Sequence, residues 1–531
     1  MKSRVHWTIA SLVIVIGVII GWWLGQSASQ TGTPEPSITE RERPISRSSG
    51  HERSRIPTLQ NRKTGRAALD ADAIEAGAIA GQRWLSFSDR EALERFLSSI
   101  EGTGIRVLGS IDALNALRIG FDDPSALAGL LDGSEDSGYI FPVNVPDVGT
   151  IQDDAVGFGR SLLQWLGLEG DLSAAGTGVS IAVLDTGVGP HSAFAENVRR
   201  TNLIDLPADL ADLNGHGTAV ASLIASELGL APGASLLSIR VANDNGTSDS
   251  FTLAQGIIDA TDAGVNLINI SMGSSGNSTI LRNAIEYAQE AGVVIVASAG
   301  NEGTPYVAYP AAYEGVISVG AVDANGKHLD FSNSGNVTLS APGLNVYSAY
   351  PNDQQVLFTG TSSSAPIVTG AIANVMKSQN VSAQQAVNLL IEYSNDAGAP
   401  GNDPALGQGY IDLGRIERRD DPTISDAAIA SNHVVQGPNG DVLQVTVQNR
   451  GNTTLINAPV QVTTPTGVVS LNIATLPAGK SQTFDLPLRT GVTQQSQEFT
   501  IDSSVTLSGG TVDLNPSNNR RVDVHIPADA P

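Results

Sequence analysis

Four polar residues of this 531-residue chain have the side-chain types that nucleophilic acyl chemistry requires. Asp185 ends the apolar run IAVLD, and His216 lies between two glycines in NGHGTAVAS. Asn301 follows the run VVIVASAG, and Ser362 begins the stretch SSSAP. A serine becomes a nucleophile when a neutral imidazole takes its proton and an acid holds that imidazole in the right tautomer. An amide donor and a backbone N–H group can then stabilise the oxyanion that forms.

Each of these residues also has an ordinary structural explanation. Asp185 can be a turn residue and His216 a helix cap. Asn301 can be a left-handed residue and Ser362 an N-cap. All four nevertheless fall at the end of a predicted strand or the start of a predicted helix. Such positions meet at one edge of a parallel sheet, so their joint placement favours the catalytic interpretation.

The elements between about residues 160 and 418 alternate between buried strands and amphipathic helices. Runs such as VSIAVLDTG are apolar on consecutive residues, as strands buried on both faces require. Helical stretches such as TILRNAIEYAQEAG separate them, so we predict an α/β fold with a parallel, doubly wound sheet. The apolar spacing of IVTGAIANVM predicts a helix after Ser362, with Pro366 in its first turn.

Two smaller modules are predicted on either side of this domain. Residues 79–150 follow a β-α-β-β-α-β order, with a serine capping the helix SDREALERFLSSI and YIFPVNV as the last strand. Residues 424–531 alternate in period two between Gly, Asn and Pro turns, which is typical of an antiparallel β-sandwich.

The N-terminus carries an export pattern. Lys2 and Arg4 precede an uncharged apolar stretch from residue 7 to 24, so residues 1–29 are either a membrane anchor or a cleaved signal peptide. Both interpretations place the body of the protein outside the cytoplasm. Residues 30–78, rich in Ser, Pro, Arg and Glu, are predicted to be a disordered linker.

Composition excludes several classes of function. A net charge of −24 argues against nucleic acid as a partner, and the lack of cysteine removes disulfides, thiolate metal sites and a cysteine nucleophile. The chain contains no P-loop, HExxH or dinucleotide-binding motif.

Residues 155–419 resemble the catalytic domain of the subtilisin-like serine peptidases. The segments that carry the resemblance are GTGVSIAVLDTG, NGHGTAVAS, LAPGASLLSIRV, INISMG, VASAGNEG, ISVGAVD, LSAPG and GTSSSAP. The resemblance implies that Asp185 orients His216, which acts as general base and then general acid. It also implies that Ser362 is the nucleophile and Asn301 the oxyanion donor.

The resemblance further implies the residues that bind substrate. The strand that pairs with an extended substrate would be Ser271, Met272 and Gly273, and the wall of the S1 pocket would be Ser298, Ala299 and Gly300. Because this wall is small and uncharged, with no acid placed to bind Lys or Arg, we expect an apolar P1 residue. Protein or peptide substrates are the expected partners, and a monomer is expected.

The flanking modules resemble known accessory domains. Residues 79–150 resemble the family's N-terminal propeptide, which implies assistance in folding, inhibition, and self-cleavage between about Asn144 and Asp154. A permanent interaction domain is the alternative, because the split motif alone assigns no role. The C-terminal module resembles immunoglobulin-like accessory domains.

The chain departs from the family pattern at several positions. Ser363 stands where Met is common, which predicts tolerance to peroxide. Ala219 replaces a usual histidine, and Ser364 and Ala365 replace the usual Ala-Ser pair. The loop ELG is too short for the usual calcium insert, so no cofactor and no calcium at this loop are expected, with other calcium sites left open. The alternative function is a catalytically silent, membrane-tethered binding protein that keeps the fold.

Overall fold

The computed structural model describes residues 66–131, 133–194, 198–204, 212–435, 441–488 and 498–525. The predicted anchor or signal peptide and residues 30–65 of the predicted linker lie outside these ranges. Among the described residues, no helix combines the length and the apolar character that crossing a bilayer requires.

The N-terminal part of the described chain forms a four-stranded antiparallel sheet with three α-helices, two of which pack on the sheet. In spatial order its strands are Arg106–Ile111 (β2), Ala116–Gly120 (β3), Gln82–Ser86 (β1) and Asp136–Gly138 (β4). The apolar faces of the helices Arg90–Ser99 and Pro124–Ala128 pack on this sheet around Leu85, Leu93, Phe96 and Leu117. The elements are α1 (Arg66–Glu75), β1 (Gln82–Ser86), α2 (Arg90–Ser99), β2 (Arg106–Ile111), β3 (Ala116–Gly120), α3 (Pro124–Ala128) and β4 (Asp136–Gly138).

Two local expectations for this region are wrong. Helix α1 lies within the segment predicted as disordered linker, because its alanine-rich sequence has high helix propensity and its buried Ala73 packs near Phe141. The cap of α2 is Asp89 and not Ser88, since the Asp89 carboxylate accepts a hydrogen bond of 2.8 Å from the Ala92 N–H group.

The central domain confirms the predicted α/β fold. Its large sheet has seven strands in the order β13-β12-β11-β10-β6-β8-β7, and every pair in it is parallel. One hydrophobic cluster holds α5 and α8 on one face, and a second holds α6 and α7 on the other. The elements are β5 (Pro142–Asn144), α4 (Leu162–Trp165), β6 (Ser180–Asp185), β7 (Val198–Asn202), α5 (His216–Ala225), β8 (Ser235–Arg240), β9 (Thr247–Asp249), α6 (Ser250–Asp262), β10 (Leu267–Ile270), α7 (Thr279–Glu290), β11 (Val294–Ser298), β12 (Ile317–Val322), β13 (Leu339–Pro342), β14 (Val346–Tyr350), β15 (Gln354–Phe358), α8 (Thr361–Gln379), α9 (Ala383–Glu392) and α10 (Leu413–Glu417).

The segment YIFPVNV is not the last strand of the N-terminal sheet. That position is taken by β4, which pairs with β1. Strand β5 within YIFPVNV instead pairs antiparallel with β9 of the central domain. A period-two apolar pattern predicts a strand but does not indicate which strand it pairs with. Here the partner strand lies about one hundred residues further along the chain.

The C-terminal residues form two antiparallel sheets, β16-β17-β20 and β19-β18-β21-β22. Alternate side chains of both sheets, among them Val445, Val460 and Ile501, share one core. Arg415 of α10 ties this part to the central domain by donating to the carbonyl oxygens of Ser394 at 2.7 Å and Arg450 at 3.3 Å. The elements are β16 (Ala427–Val435), β17 (Val442–Asn449), β18 (Leu455–Thr464), β19 (Gly467–Leu476), β20 (Ser481–Pro487), β21 (Phe499–Val505) and β22 (Arg520–His525).

Candidate active site

The polar residues singled out in the sequence lie at strand ends and helix starts of the central domain. Asp185 is the last residue of β6, and Ser271 directly follows β10. Asn301 lies three residues beyond the end of β11, while His216 begins α5 and Ser362 is the second residue of α8. Strands β6, β10 and β11 are neighbours in the parallel sheet, so their carboxyl ends share one edge.

Asp185 and His216 form a buried hydrogen-bonded pair. The Nδ1 atom of His216 lies 2.8 Å from Oδ1 of Asp185, which also accepts the Thr186 N–H group at 2.7 Å. Because an ionised carboxylate only accepts, this contact assigns the imidazole proton to Nδ1 and leaves Nε2 as an acceptor. That Nε2 atom is buried and has no hydrogen-bond partner in the described part of the chain. The imidazole is therefore oriented on one side and available on the other.

A second carboxylate fixes the turn that presents His216. Oδ1 of Asp212 accepts the Gly215 N–H group and the Thr186 hydroxyl, both at 2.9 Å. The Thr186 oxygen in turn accepts the Gly217 N–H group at 3.0 Å. Sequence reasoning missed Asp212 and Thr186, although an acid shortly before a Gly-His-Gly turn is a visible signal for such a brace.

Gly217 is required by a close backbone approach. A Cβ atom added at this position would lie 2.0 Å from the carbonyl oxygen of Gly187, far inside contact distance. The turn after Asp185 and the first turn of α5 thus pack backbone against backbone. This packing explains the glycine that follows His216 in the sequence.

Asn301 presents an amide group with one end fixed. Its Oδ1 atom accepts both the N–H group and the hydroxyl of Thr361 at 2.8 Å, which orients Nδ2 away from that contact. The Nδ2 atom is buried and finds no acceptor among the described residues. Thr361 directly precedes Ser362, so an unused donor lies beside the start of α8. A buried donor without a partner costs free energy unless something else binds it.

Ser362 and Ser271 exchange two hydrogen bonds. The Ser362 hydroxyl donates to the Ser271 carbonyl oxygen, and the Ser271 hydroxyl donates to the Ser362 carbonyl oxygen, both at 3.2 Å. The second bond is possible because Pro366, four residues after Ser362, has no N–H group to occupy that carbonyl. Pro366 therefore lies in the second turn of α8 and not in the first turn predicted from the sequence, since the helix already begins at Thr361.

The predicted substrate strand is paired with another segment of the same chain. Gly273 and Asn144 exchange two backbone hydrogen bonds of 2.9 Å. On the opposite side, the Val145 N–H group donates to the Gly246 carbonyl oxygen at 2.9 Å. Met272 is completely buried in the hydrophobic cluster that also contains the Val143 side chain. Residues 142–145 therefore lie as the middle strand between Thr247–Asp249 and Gly273.

The predicted S1 wall follows β11. Ser298 and Ala299 are buried, and the Gly300 N–H group donates to the Thr361 hydroxyl at 3.2 Å. One acidic side chain lies close to this wall. A Cβ atom added at Gly300 would lie 2.7 Å from Oε2 of Glu302, whose carboxylate accepts a 2.6 Å hydrogen bond from the Asn333 amide. The sequence did not reveal this contact because Gly300 adopts a φ of +106°, which turns the chain back after the strand.

Within the described ranges, no group of three or more His, Asp or Glu side chains is arranged to hold a metal ion. Helix α5 ends at Ala225, and the Leu230 N–H group already donates to the Leu223 carbonyl oxygen of that helix at 3.3 Å, so the loop between them is short. The absence of calcium at this loop remains a prediction.

Comparison with known proteins identifies the family to which this chain belongs. The sequence model of the Subtilase family matches residues 176–409. Subtilisin DY of Bacillus licheniformis is 36% identical over 250 residues, which cover 45% of this chain and 90% of that protein. The thermostable alkaline protease of Halalkalibacterium halodurans is 37% identical over 252 residues, which cover 45% of this chain and 68% of that protein. Alkaline elastase YaB of a Bacillus species is 29% identical over 370 residues, which cover 65% of this chain and 93% of that protein.

The chain belongs to the subtilase family and is a serine endopeptidase. Its substrates are proteins or peptides. The comparisons do not favour the alternative of a silent binding protein.

Proposed function

We propose that this chain is an exported serine endopeptidase, made as a self-inhibited zymogen, in which Ser362 forms the acyl-enzyme. The observation that carries the proposal is the buried, unpartnered Nδ2 of Asn301 beside Ser362, in a site where Nε2 of His216 is equally unpartnered among the described residues. One atom is a donor suited to an oxyanion and the other an acceptor suited to a hydroxyl proton.

The proposed reaction assigns one step to each group. His216 Nε2 removes the proton from Ser362 Oγ as that oxygen attacks the substrate carbonyl carbon. Asp185 holds the imidazole through Nδ1 and stabilises the imidazolium ion that forms. The Nδ2 group of Asn301 donates to the oxyanion, and the protonated His216 then transfers its proton to the leaving amine. Water releases the acyl group by the same sequence of proton transfers in reverse.

The N-terminal module is proposed to be the inhibitory propeptide. Its extension places Asn144 against Gly273, where the backbone of a substrate would pair. This pairing favours a propeptide over a permanent interaction domain.

The strand in the cleft also supports a proposal about substrate preference. Val143 is completely buried beside Met272, which favours an apolar residue at the equivalent position of a substrate. Ser298, Ala299 and Gly300 form a small S1 wall that suits an apolar P1 residue. The Glu302 carboxylate adds an acceptor at this wall, so a P1 lysine or arginine is a second candidate.

The proposals about export, about the role of the C-terminal sheets and about the lack of a cofactor rest on the sequence. Residues 7–24, which lie outside the described ranges, would act as a signal peptide or an anchor. Residues 424–531 would be an accessory β-sandwich that shields the catalytic domain or binds a partner. No cofactor is needed for the proposed chemistry, and we propose a monomer.

Replacing Asn301 with alanine tests the assignment of the oxyanion donor. We expect kcat on a chromogenic peptide to fall about 10²–10³-fold, with a smaller change in KM, because the donor acts mainly in the transition state. Asn301→Asp is the matched variant, since it keeps the size and the Thr361 contact but removes the donor. Unchanged turnover in both variants would remove Asn301 from the mechanism.

A further inference from the structure

The strand that lies in the cleft is followed by a proline at the position that its register brings opposite Ser271. Asn144 and Gly273 form a hydrogen-bonded antiparallel pair, donating to each other at 2.9 Å. In an antiparallel ladder the next such pair lies two residues along each strand. Continuing this register by two residues brings residue 146, which is Pro146, opposite Ser271.

Pro146 cannot make the hydrogen bond that this register offers. A residue facing Ser271 would donate its N–H group to the Ser271 carbonyl oxygen, but proline has no such group. The Ser271 carbonyl oxygen accepts the Ser362 hydroxyl at 3.2 Å instead. While Ser362 donates to Ser271, its proton is not directed to His216, whose Nε2 has no partner within the described chain.

Beyond Pro146 the chain stays close to the candidate active site. A Cβ atom added at Gly149 would lie 2.9 Å from the Asn301 carbonyl oxygen, so the backbone still passes beside the candidate oxyanion donor. Gln152 then anchors the chain by donating to the His328 carbonyl oxygen at 2.8 Å and accepting the Asp330 N–H group at 3.1 Å. The segment is held on both sides of Pro146.

From these contacts we infer that Pro146 makes residues 142–146 a strand that occupies the cleft but resists cleavage at its own 146–147 bond. The inference rests on the proposed function. A substrate with an N–H group at this position takes the Ser271 carbonyl oxygen and releases the Ser362 hydroxyl to His216. The protein's own strand has no N–H group at Pro146 and leaves the Ser362 hydroxyl bound to Ser271. Self-processing therefore has to occur at another bond.

Restoring the N–H group should convert the strand into a substrate. In Pro146→Ala, Ser362 Oγ bonds to the carbonyl carbon of residue 146 and the bond to the Asp147 nitrogen breaks. The proton of Ser362 passes through His216 to that nitrogen, and water then hydrolyses the ester. The products are a chain ending at the introduced alanine and a chain beginning at Asp147.

The full-length chain tests this inference by intact mass and N-terminal sequencing. We expect Pro146→Ala, but not Pro146→Ala combined with Ser362→Ala, to acquire Asp147 as a new N-terminus. Pro142→Ala is the matched control, because Pro142 lies in the same strand but does not face Ser271, and it should behave like the wild type. A wild-type N-terminus at Asp147, or none at Asp147 in Pro146→Ala, would overturn the inference.

A second measurement separates this inference from the proposed function. The protein, freed of its N-terminal module by an added protease, is given synthetic peptides of sequence 139–150 with proline or alanine at position 146, and also an unrelated chromogenic peptide. We expect cleavage after residue 146 to be at least about tenfold slower with proline, the equivalent of one backbone hydrogen bond. Equal rates on the two peptides, with the chromogenic peptide hydrolysed, would refute the role of Pro146 alone. No hydrolysis of the chromogenic peptide would refute the proposed function as well.

Discussion

Ser363 follows the proposed nucleophile and is completely buried. Its hydroxyl donates to the carbonyl oxygens of Gly360 at 2.9 Å and Pro342 at 3.3 Å, so it braces the loop that enters α8. A thioether at this position would become a sulfoxide in peroxide, which adds a polar oxygen beside the reacting groups. The serine carries no such liability.

Ser363→Met should therefore create sensitivity to oxidation. We expect the wild type to keep most of its activity after exposure to hydrogen peroxide and Ser363→Met to lose most of it. Ser363→Leu is the control, because it adds similar bulk without sulfur. Activity of each protein is compared before and after peroxide, so that packing effects cancel. Equal losses in wild type and Ser363→Met would contradict the prediction.

At the scale of elements, the N-terminal sheet is tied to the catalytic domain by a partly buried ion pair. Nη1 of Arg118 on β3 lies 2.8 Å from Oδ2 of Asp249, and their side chains are only 18% and 12% exposed. Asp249 is also the N-cap of α6, where it accepts the Phe251 and Thr252 N–H groups at 3.0 Å. The Asp249 carboxylate thus caps α6 and also joins the N-terminal sheet to the catalytic domain.

Arg118→Ala should loosen this contact. Removing one partner of a partly buried pair typically costs about 1–3 kcal/mol, because the remaining charge loses its compensation. In the full-length Ser362→Ala chain, which cannot digest itself, we expect the region 82–138 to be cut at least about tenfold faster by an added protease. Arg106→Ala is the control, because its pair with Asp122 is largely exposed and worth little. Similar cutting rates for both variants would show that the buried pair does not hold the two parts together.

The sequence predicted where the strands lie better than which strands pair with each other. Strands ending at Asp185 and Ser298 could be recognised because a continuous apolar run closed by a polar or small residue is typical of a parallel sheet. The same logic assigned YIFPVNV to the wrong sheet, since alternation records burial and not the neighbouring strand. The pairing of Asn144 with Gly273 depends on contacts between distant segments, which no local pattern encodes.

At the scale of the whole molecule, His328 links stability to pH. Burial lowers the pKa of His328 below its usual 6.5, with the nearby Asp330 and Asp403 carboxylates partly opposing this effect. Its Nε2 atom is buried without a partner among the described residues. Above pH 6.5 both folded and unfolded chains hold this histidine neutral. As the pH falls below that value the unfolded chain binds a proton first, so the folded state loses stability.

His328→Gln should reduce this loss. We expect the melting temperature of the Ser362→Ala chain to fall between about pH 7 and pH 5, and to fall less when His328 is replaced. Differential scanning calorimetry across the pH range measures both proteins. Parallel curves for the two proteins would mean that other groups determine the acid sensitivity.

Only part of the candidate site could be predicted from the sequence. Asp185, His216, Asn301 and Ser362 were found because their types and their positions at element ends are both visible in the sequence. Two acids were missed because their roles depend on turns: one contacts the turn before His216 and the other lies beside the S1 wall (Asp212 and Glu302). The sequence thus supplied the candidate reacting groups, and the fold was needed to find the residues that brace and surround them.

The most direct test of the central claim is labelling with a fluorophosphonate, which reacts with an activated serine. The protein is first freed of residues up to the cleft strand, as verified by intact mass, and then mapped by peptide mass spectrometry. We predict one adduct, on Ser362, and none in the Ser362→Ala variant. An adduct on another residue, or no adduct although the cleft is clear, would contradict the assignment of Ser362 as the nucleophile.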